Sequence, residues 1–313
     1  MILLWGIPSD PPLAAVEAEL SRRGVPSLFL DQRAAPQTTL RMEVGDRVNG
    51  ALTVFEETVR LEDIRAVYPR PHELTQLASA AQEVRPGHAA ALYAAMLVWL
   101  DVTPAFVLNR PVAMALNASK PYQAALIEAV GLRTPPTLLT TDPDAATSFR
   151  DRHGTVIYKS ISAMRSIVAR LGADDVTRLQ NVTWCPTQFQ RRIGGFEVRV
   201  HVMGDAIFAS RIISDADDYR YAALTGHDMD IVSFELPPEV AALCRKVTAA
   251  LGYVIAGLDL RCEDGAWYCF EANPSPGFTY YEQRTGQPIA AAVADLLAGA
   301  LTSRKNPVAV PSH

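Results

Sequence analysis

At 313 residues with 49% hydrophobic content, the chain can bury a large core and is long enough for two or three domains. Its 29 basic and 34 acidic residues leave a net charge near −5, which offers no general attraction to nucleic acid or membrane surfaces. The longest hydrophobic stretch, Ala89 to Leu100, is too short to span a bilayer, and the opening MILLWGIPSD lacks the basic start and small-residue cleavage site of a signal peptide, so a cytoplasmic location is expected.

Taken in chain order, Ile2 to Trp5 reads as a strand, Pro12 to Gly24 as an amphipathic helix and Pro26 to Leu30 as a second strand, a β-α-β start. It carries no GxGxxG, so no dinucleotide is assigned to it. Leu40 to Val59 is expected to form a polar hairpin and Ile64 to Tyr68 a buried strand leading into Pro69-Arg70-Pro71. Ala78 to Leu100 is expected to be helical and Ala105 to Asn109 extended. These first 110 residues form a small α/β unit expected to hold part of a substrate.

A helix over Lys120 to Val130 follows, then a strand at Thr137 to Thr140, a helix at Asp144 to Asp151 and a strand at Val156 to Lys159. Lys120 stands at the mouth of its helix and Lys159 at the end of a buried strand. Two lysines so placed suit the phosphates of a nucleotide, although each alone also reads as a surface lysine with a buried stem. Ser160 to Ser166, SISAMRS, is the candidate loop over those phosphates; it contains no glycine, and Arg165 offers charge in compensation.

Gln188 to Ile193 reads as a strand running into Gly194-Gly195, and Phe196 to Met203 with Ala206 to Ile213 as a hairpin turned at Gly204-Asp205. Glu197, Arg199 and His201 share one face of the first hairpin strand, a face expected to meet solvent or a ligand, with His201 expected to hold structure through hydrogen bonds. Asp215 to Arg220 breaks the sheet, Pro238 to Leu251 is an amphipathic helix, and Pro288 to Ala300 is a C-terminal helix before a Pro-rich tail. Four cysteines, Cys185, Cys244, Cys262 and Cys269, show no metal-ligand spacing and are expected to be small core residues.

The stretch from Gly257 to Gly277, GLDLRCEDGAWYCFEANPSPG, concentrates acidic groups inside apolar strands. Ile255 to Arg261 and Ala266 to Ala272 form a hairpin around Asp264-Gly265. Asp259 and Glu271 sit within the two strands, and Asn273 shares the face of Glu271 by the period of two. Carboxylates paired on one sheet face point to a bound cation, magnesium by default; the alternative is a pair of surface carboxylates on an edge hairpin. A two-residue turn at Asp264-Gly265 sets Asp259 opposite Phe270, so placing it beside Glu271 requires a longer loop or a bulge.

In this order and spacing the chain resembles ATP-grasp enzymes of the glutathione synthetase and ribosomal S6 modification groups over roughly residues 111–298. The features that carry the resemblance are Lys120, Lys159, the Gln190-Arg191-Arg192-Ile193 hinge, Glu197, Arg199, Asp259, Glu271 and Asn273 before a Pro-Ser-Pro-Gly turn. The resemblance implies an α/β (α+β) ATP-grasp fold: a pre-ATP-grasp domain at 1–110, a central subdomain at 111–185 and a metal-bearing C-terminal subdomain at 186–313, with nucleotide between the last two. It implies ATP and Mg²⁺ as cofactors, with Lys120 and Lys159 on the phosphates and the backbone of Arg192 and Ile193 on adenine. Gln190 stands where the family often has an acidic residue near the adenine amino group. Glu197 is implied on the ribose, Asp259, Glu271 and Asn273 on magnesium, and Arg199 on the transferring phosphoryl group.

A narrower resemblance, to the ATP-grasp maturases that cross-link ribosomally made peptides of the microviridin or graspetide type, rests on Val67-Tyr68-Pro69-Arg70-Pro71, Val156 to Ser160, Pro186 to Gln190 and Asp218-Tyr219-Arg220. It implies a precursor peptide as the carboxylate-bearing partner. Asp218 and Arg220 are thereby implied near its leader, and Ser275 and Gly277 are expected near its reacting carboxylate. Members are often dimers. The implied reaction joins a carboxylate to an amine or hydroxyl through an acyl phosphate. Two alternatives stand beside the peptide substrate: a glutamate-adding ligase acting on a small molecule or protein C-terminus, and an ATP-binding module without turnover.

Overall fold

The computed structural model describes residues 1–46, 48–73, 87–160, 168–214 and 229–302. The chain opens with β1 (Ile2–Gly6), α1 (Pro11–Arg22) and β2 (Ser27–Asp31), the expected β-α-β start. Asp10 caps α1 by accepting from the Leu13 N–H at 3.0 Å, and Pro11 fills a first-turn position that needs no donor. β3 (Thr38–Val44), β4 (Val48–Val54) and β5 (Glu57–Arg60) form an antiparallel sheet, one strand more than the hairpin expected over 40–59. β6 (Ala66–Pro69) and β7 (Phe106–Val107) join the first two strands in a parallel sheet of order β2-β1-β6-β7. α2 (His88–Val102) packs Met96, Trp99 and Leu100 against this unit; residues 78–86, expected to extend that helix, lie outside the described residues.

α3 (Pro111–Met114) and α4 (Lys120–Ala129) lead into β8 (Thr137–Thr140), α5 (Pro143–His153), β9 (Val156–Ser160), β10 (Ala169–Arg170), α6 (Ala173–Val176) and β11 (Thr187–Arg191). The four strands form an antiparallel sheet of order β10-β9-β11-β8, closed on one side by Ala146 and Phe149 of α5 over Val156 and Phe189. From 161 to 167 the candidate phosphate loop lies outside the described residues.

The last third contains β12 (Phe196–Met203), β13 (Ala206–Ser214), β14 (Met229–Phe234), α7 (Pro238–Ala250), β15 (Ile255–Glu263), β16 (Ala266–Asn273), α8 (Thr279–Thr285) and α9 (Ile289–Thr302). Its antiparallel sheet runs β14-β13-β12-β15-β16. Val198, Val200 and Val202 alternate onto the face packed against α4 and α7, with Leu258, Leu260 and Ala272 from neighbouring strands. The opposite face of β12 therefore presents Glu197, Arg199 and His201. β14 and α8 were not anticipated: β14 follows a polar run, and TYYEQRT has neither a side-chain cap nor strong helix formers at its start.

α9 returns to the beginning of the chain. Its Val293, Ala294 and Leu297 share one core with Ile2, Leu4, Leu13, Val16 and Tyr68, so the first and last thirds of the sequence are packed as a unit. No helix among the described residues is long and apolar enough to cross a membrane.

Candidate active site

The β15–β16 hairpin resolves the register question raised by its sequence. Glu263 pairs with Ala266 around a two-residue turn in which Asp264 and Gly265 have φ of 50° and 80°, as a type I′ turn requires. Between Asp259 and Leu260 the pairing shifts by one, leaving Phe270 as the extra residue, and Asp259 then stands opposite Glu271 and Gly257 opposite Asn273. The bulge brings the carboxylates side by side.

Each carboxylate already has a cation. Arg199 lies opposite Asp259 in the β12–β15 register and its Nη1 donates to Asp259 Oδ1 at 2.5 Å; the arginine side chain is 8% exposed. Lys120, the first residue of α4, places Nζ 3.1 Å from Glu271 Oε2 and 2.9 Å from Asn117 Oδ1. Asn273 turns its Oδ1 towards the Ser275 N–H at 2.9 Å.

The hairpin and the four-stranded sheet enclose a cleft of about 610 Å³. Lys120, Asp259 and Glu271 line one end of it, Lys159 of β9 projects from the other sheet, and Gln190, Arg192, Ile193 and Glu197 line the connection between them. Apolar area comes from Leu139, Ile157 and Phe270 among others. Arg199, Asn273, Ser275 and Gly277 do not line this cleft; Arg199 stands one strand further in, behind Asp259. Asp218 and Arg220 lie outside the described residues.

Two residues that the sequence reading passed over organise the connection. Arg261 donates from Nη1 to the Ile193 carbonyl at 3.0 Å and from Nη2 to Glu197 Oε2 at 3.0 Å. Glu263 accepts from the Gly194 N–H at 2.6 Å and pairs with Arg191. Both follow Asp259 at the strand period of two, the signal by which they were findable. Gly195, with φ of 74°, passes so close to the Cys262 carbonyl that an added Cβ would lie 1.8 Å from its oxygen. Gln190 donates its Nε2 to Thr137 Oγ1 at 2.9 Å.

His201 differs from expectation. It is fully buried, forms no hydrogen bond of ordinary geometry among the described residues, and packs edge-on against Tyr281 with ring centroids 4.9 Å apart. Burial, reinforced by the adjacent Arg199 charge and only weakly opposed by the Gly277 backbone, holds its pKa well below the usual histidine range. The cysteines also divide: Cys244, Cys262 and Cys269 are core residues, whereas Cys185 is exposed, contrary to expectation; all four are free. Burial raises the Cys244 thiol to about 12 and that of Cys269 well above its ordinary value, which leaves neither as a nucleophile.

Among the described residues there is no group of three His, Cys, Asp or Glu side chains placed to hold a metal. The donor set available here is two carboxylates and one amide, all hard oxygen ligands, which fits a cation that keeps part of its shell for water or phosphate.

Residues 118–297 match the RimK-like ATP-grasp domain. Among curated relatives, a probable alpha-L-glutamate ligase of Alkalilimnicola ehrlichii is 23% identical over 216 residues, covering 64% of this chain and 69% of that protein. Among solved structures, the ATP-grasp ligase PsnB, complexed with a phosphomimetic variant of a minimal precursor, Mg and ADP, has a TM-score of 0.77 at 26% identity, covering 96% of this chain and 98% of its own. A RiPP-associated ATP-grasp ligase of Chryseobacterium gregarium, in complex with ADP and a leader and core peptide, has a TM-score of 0.80 at 21% identity and covers 98% and 99%. The fold is the α+β ATP-grasp fold, and the chain belongs to the RimK-like ATP-grasp domain family, a family of ligases.

Proposed function

We propose that this ligase uses ATP and Mg²⁺ to activate a side-chain carboxylate of a precursor peptide and join it to an amine or hydroxyl. The observation that carries the ATP reading is the convergence of Lys120, Lys159, Glu197, Asp259 and Glu271 on one cleft of about 610 Å³ with an apolar floor. Support for a peptide comes from likeness to PsnB that extends over 96% of the chain, through the N-terminal unit as well as the family domain.

Lys120 and Lys159 would hold the phosphates, Glu197 the ribose hydroxyls, and the backbone at Arg192 and Ile193 the adenine edge. Arg261 fixes the last two elements at once, because it holds both the Ile193 carbonyl and the Glu197 carboxylate. Asp259, Glu271 and Asn273 would hold magnesium, which when bound offsets phosphate charge as a Lewis acid. Arg199, anchored on Asp259 just behind the cleft lining, would add positive charge at that end and act on the transferring phosphoryl group. The substrate carboxylate oxygen bonds to the γ-phosphorus as the bond to the bridging oxygen breaks and ADP leaves. The acceptor nitrogen or oxygen then attacks the acyl carbon, loses its proton and expels phosphate. No side-chain nucleophile is consumed, in keeping with buried, protonated thiols near the site.

A glutamate-adding reaction is the second reading, favoured by the curated relatives named as probable alpha-L-glutamate ligases. ADP release separates the two. Purified enzyme is offered free glutamate with a protein C-terminus in one arm and acidic peptides carrying Thr, Ser or Lys acceptors in the other. Loss of one water from the peptide by mass spectrometry supports the proposal; addition of glutamate residues with no dehydrated peptide refutes it. On the peptide reading, Asp218→Ala and Arg220→Ala weaken leader-peptide binding while ATP affinity stays unchanged.

A further inference from the structure

Three side chains from the first 123 residues grip the strand and turn that carry Glu271 and Asn273. β16 is the last strand of its sheet among the described residues, and beyond an isolated bridge from Arg133 to Tyr268, with the Cys269 N–H on the Arg133 carbonyl, no described strand pairs its outer edge. Gln123 of α4, 1% exposed, occupies that edge: its Nε2 donates to the Ala272 carbonyl at 2.8 Å and its Oε1 accepts from the Ala272 N–H at 2.9 Å. The carboxamide thus pairs with the backbone as a one-residue strand would. Asn109, also 1% exposed and just past β7, donates from Nδ2 to the Pro274 carbonyl at 2.7 Å and the Ile255 carbonyl at 2.8 Å. Its Oδ1 accepts from the N–H groups of Val254 and Ile255. Arg70, held by Asp10 at 2.7 Å, donates to Ser275 Oγ at 2.9 Å and the Pro276 carbonyl at 3.2 Å.

The backbone immediately before and after Asn273 is therefore fixed by two buried carboxamides, and the next two residues by a guanidinium. α4 reaches Glu271 twice, through Lys120 on its carboxylate and Gln123 on the adjoining peptide. Asn109 makes four such bonds and Gln123 two, and removing either side chain leaves buried backbone groups unpaired.

We propose that Gln123 and Asn109 are positioning residues for the magnesium ligands, setting where Glu271 and Asn273 present their oxygens. This rests on the magnesium reading above. Edge protection alone would give the same contacts, but it would affect only stability. Partners that orient metal ligands from outside the coordination sphere typically change metal affinity by about 10–100-fold.

The test is ADP binding by calorimetry, in EDTA and in MgCl₂, whose affinity ratio measures coupling between metal and nucleotide. A manganese titration followed by electron paramagnetic resonance reads the metal directly. Gln123→Met keeps length and helix propensity while removing both bonds. It is expected to lower the ratio by about tenfold and weaken Mn²⁺ binding in step, with ADP affinity in EDTA unchanged. Asn109→Asp keeps the acceptor to residues 254 and 255 but removes both donors, and decides by the same ratio if Gln123→Met does not fold. Glu271→Gln is the control that abolishes coupling. A lowered melting temperature with the wild-type ratio overturns the proposal, as does a loss of ADP affinity in EDTA equal to that in MgCl₂. If the wild-type ratio is already one and Glu271→Gln leaves it there, the magnesium reading fails and the positioning role with it.

Discussion

Gly257→Ala tests whether the Arg199–Asp259 pair must sit where the structure places it. Gly257 lies in β15 opposite His201 and Asn273, and an added Cβ would fall 2.3 Å from Arg199 Nη2 and 2.8 Å from Pro276 Cβ. Ordinary carbon contact is near ~3.5 Å, so the guanidinium must retreat by about 1.2 Å or the turn must move. The arginine is buried and bonded at 2.5 Å to Asp259, which leaves it little room to yield. Overpacking of this kind costs about 1–3 kcal/mol, a fall in melting temperature of about 2–6 °C for a chain of this size. A catalytic group misplaced by about 1 Å loses on the order of 100-fold in rate. The assay is ADP release with the carboxylate substrate that supports wild-type turnover, alongside a thermal melt and titration of ATP. The expected result is kcat down about 100-fold with KM for ATP little changed. Wild-type kcat in a variant whose melting temperature has fallen would refute the placement of Arg199 beside the transferring group.

Other outcomes follow from the same contacts. Glu271→Gln and Asp259→Asn should each leave the fold intact, the second with a lowered melting temperature because it strips the buried Arg199 of its partner, while ADP release falls by about 10³-fold or more; retained turnover in both would sink the metal assignment. Gly195→Ala should cost about 2–5 kcal/mol in chemical denaturation, from left-handed backbone and a backbone clash at Cys262, and a cost under ~1 kcal/mol would contradict the tight hinge passage. His201 stays neutral in the native state but protonates in the unfolded chain below about pH 6.5, so the unfolded state binds more protons and stability falls as pH drops through that value. His201→Leu should remove up to about 1.4 kcal/mol per pH unit of that dependence between pH 6.5 and 5; identical slopes in both proteins would show that the imidazole is not held neutral.

The candidate site was legible in sequence wherever chemistry and period coincide. Asp259, Glu271 and Asn273 announce themselves as polar groups at strand spacing inside apolar runs, and the pairing arithmetic called for a longer loop or a bulge, of which the hairpin has the bulge, at Phe270. What escaped depends on which elements meet in space. Lys120 on Glu271, Arg261 across to Ile193 and Glu197, and Gln123 on Ala272 join residues 64 to 151 positions apart, and nothing local distinguishes Gln123 from any polar residue on a helix. His201 misled for the converse reason: the residues that share its strand face, Glu197 and Arg199, are charged, yet His201 itself is roofed by Tyr281.

The return of α9 to the start of the chain has a consequence for building hybrids of these enzymes. A graft that exchanges residues 1–110 with those of a relative, to borrow its substrate preference, would leave the last helix behind. Val293, Ala294 and Leu297 would then face a surface shaped for another partner. The exchangeable module is discontinuous: the opening α/β unit travels with the closing segment from Phe278 to Leu297, or the seam between them comes apart.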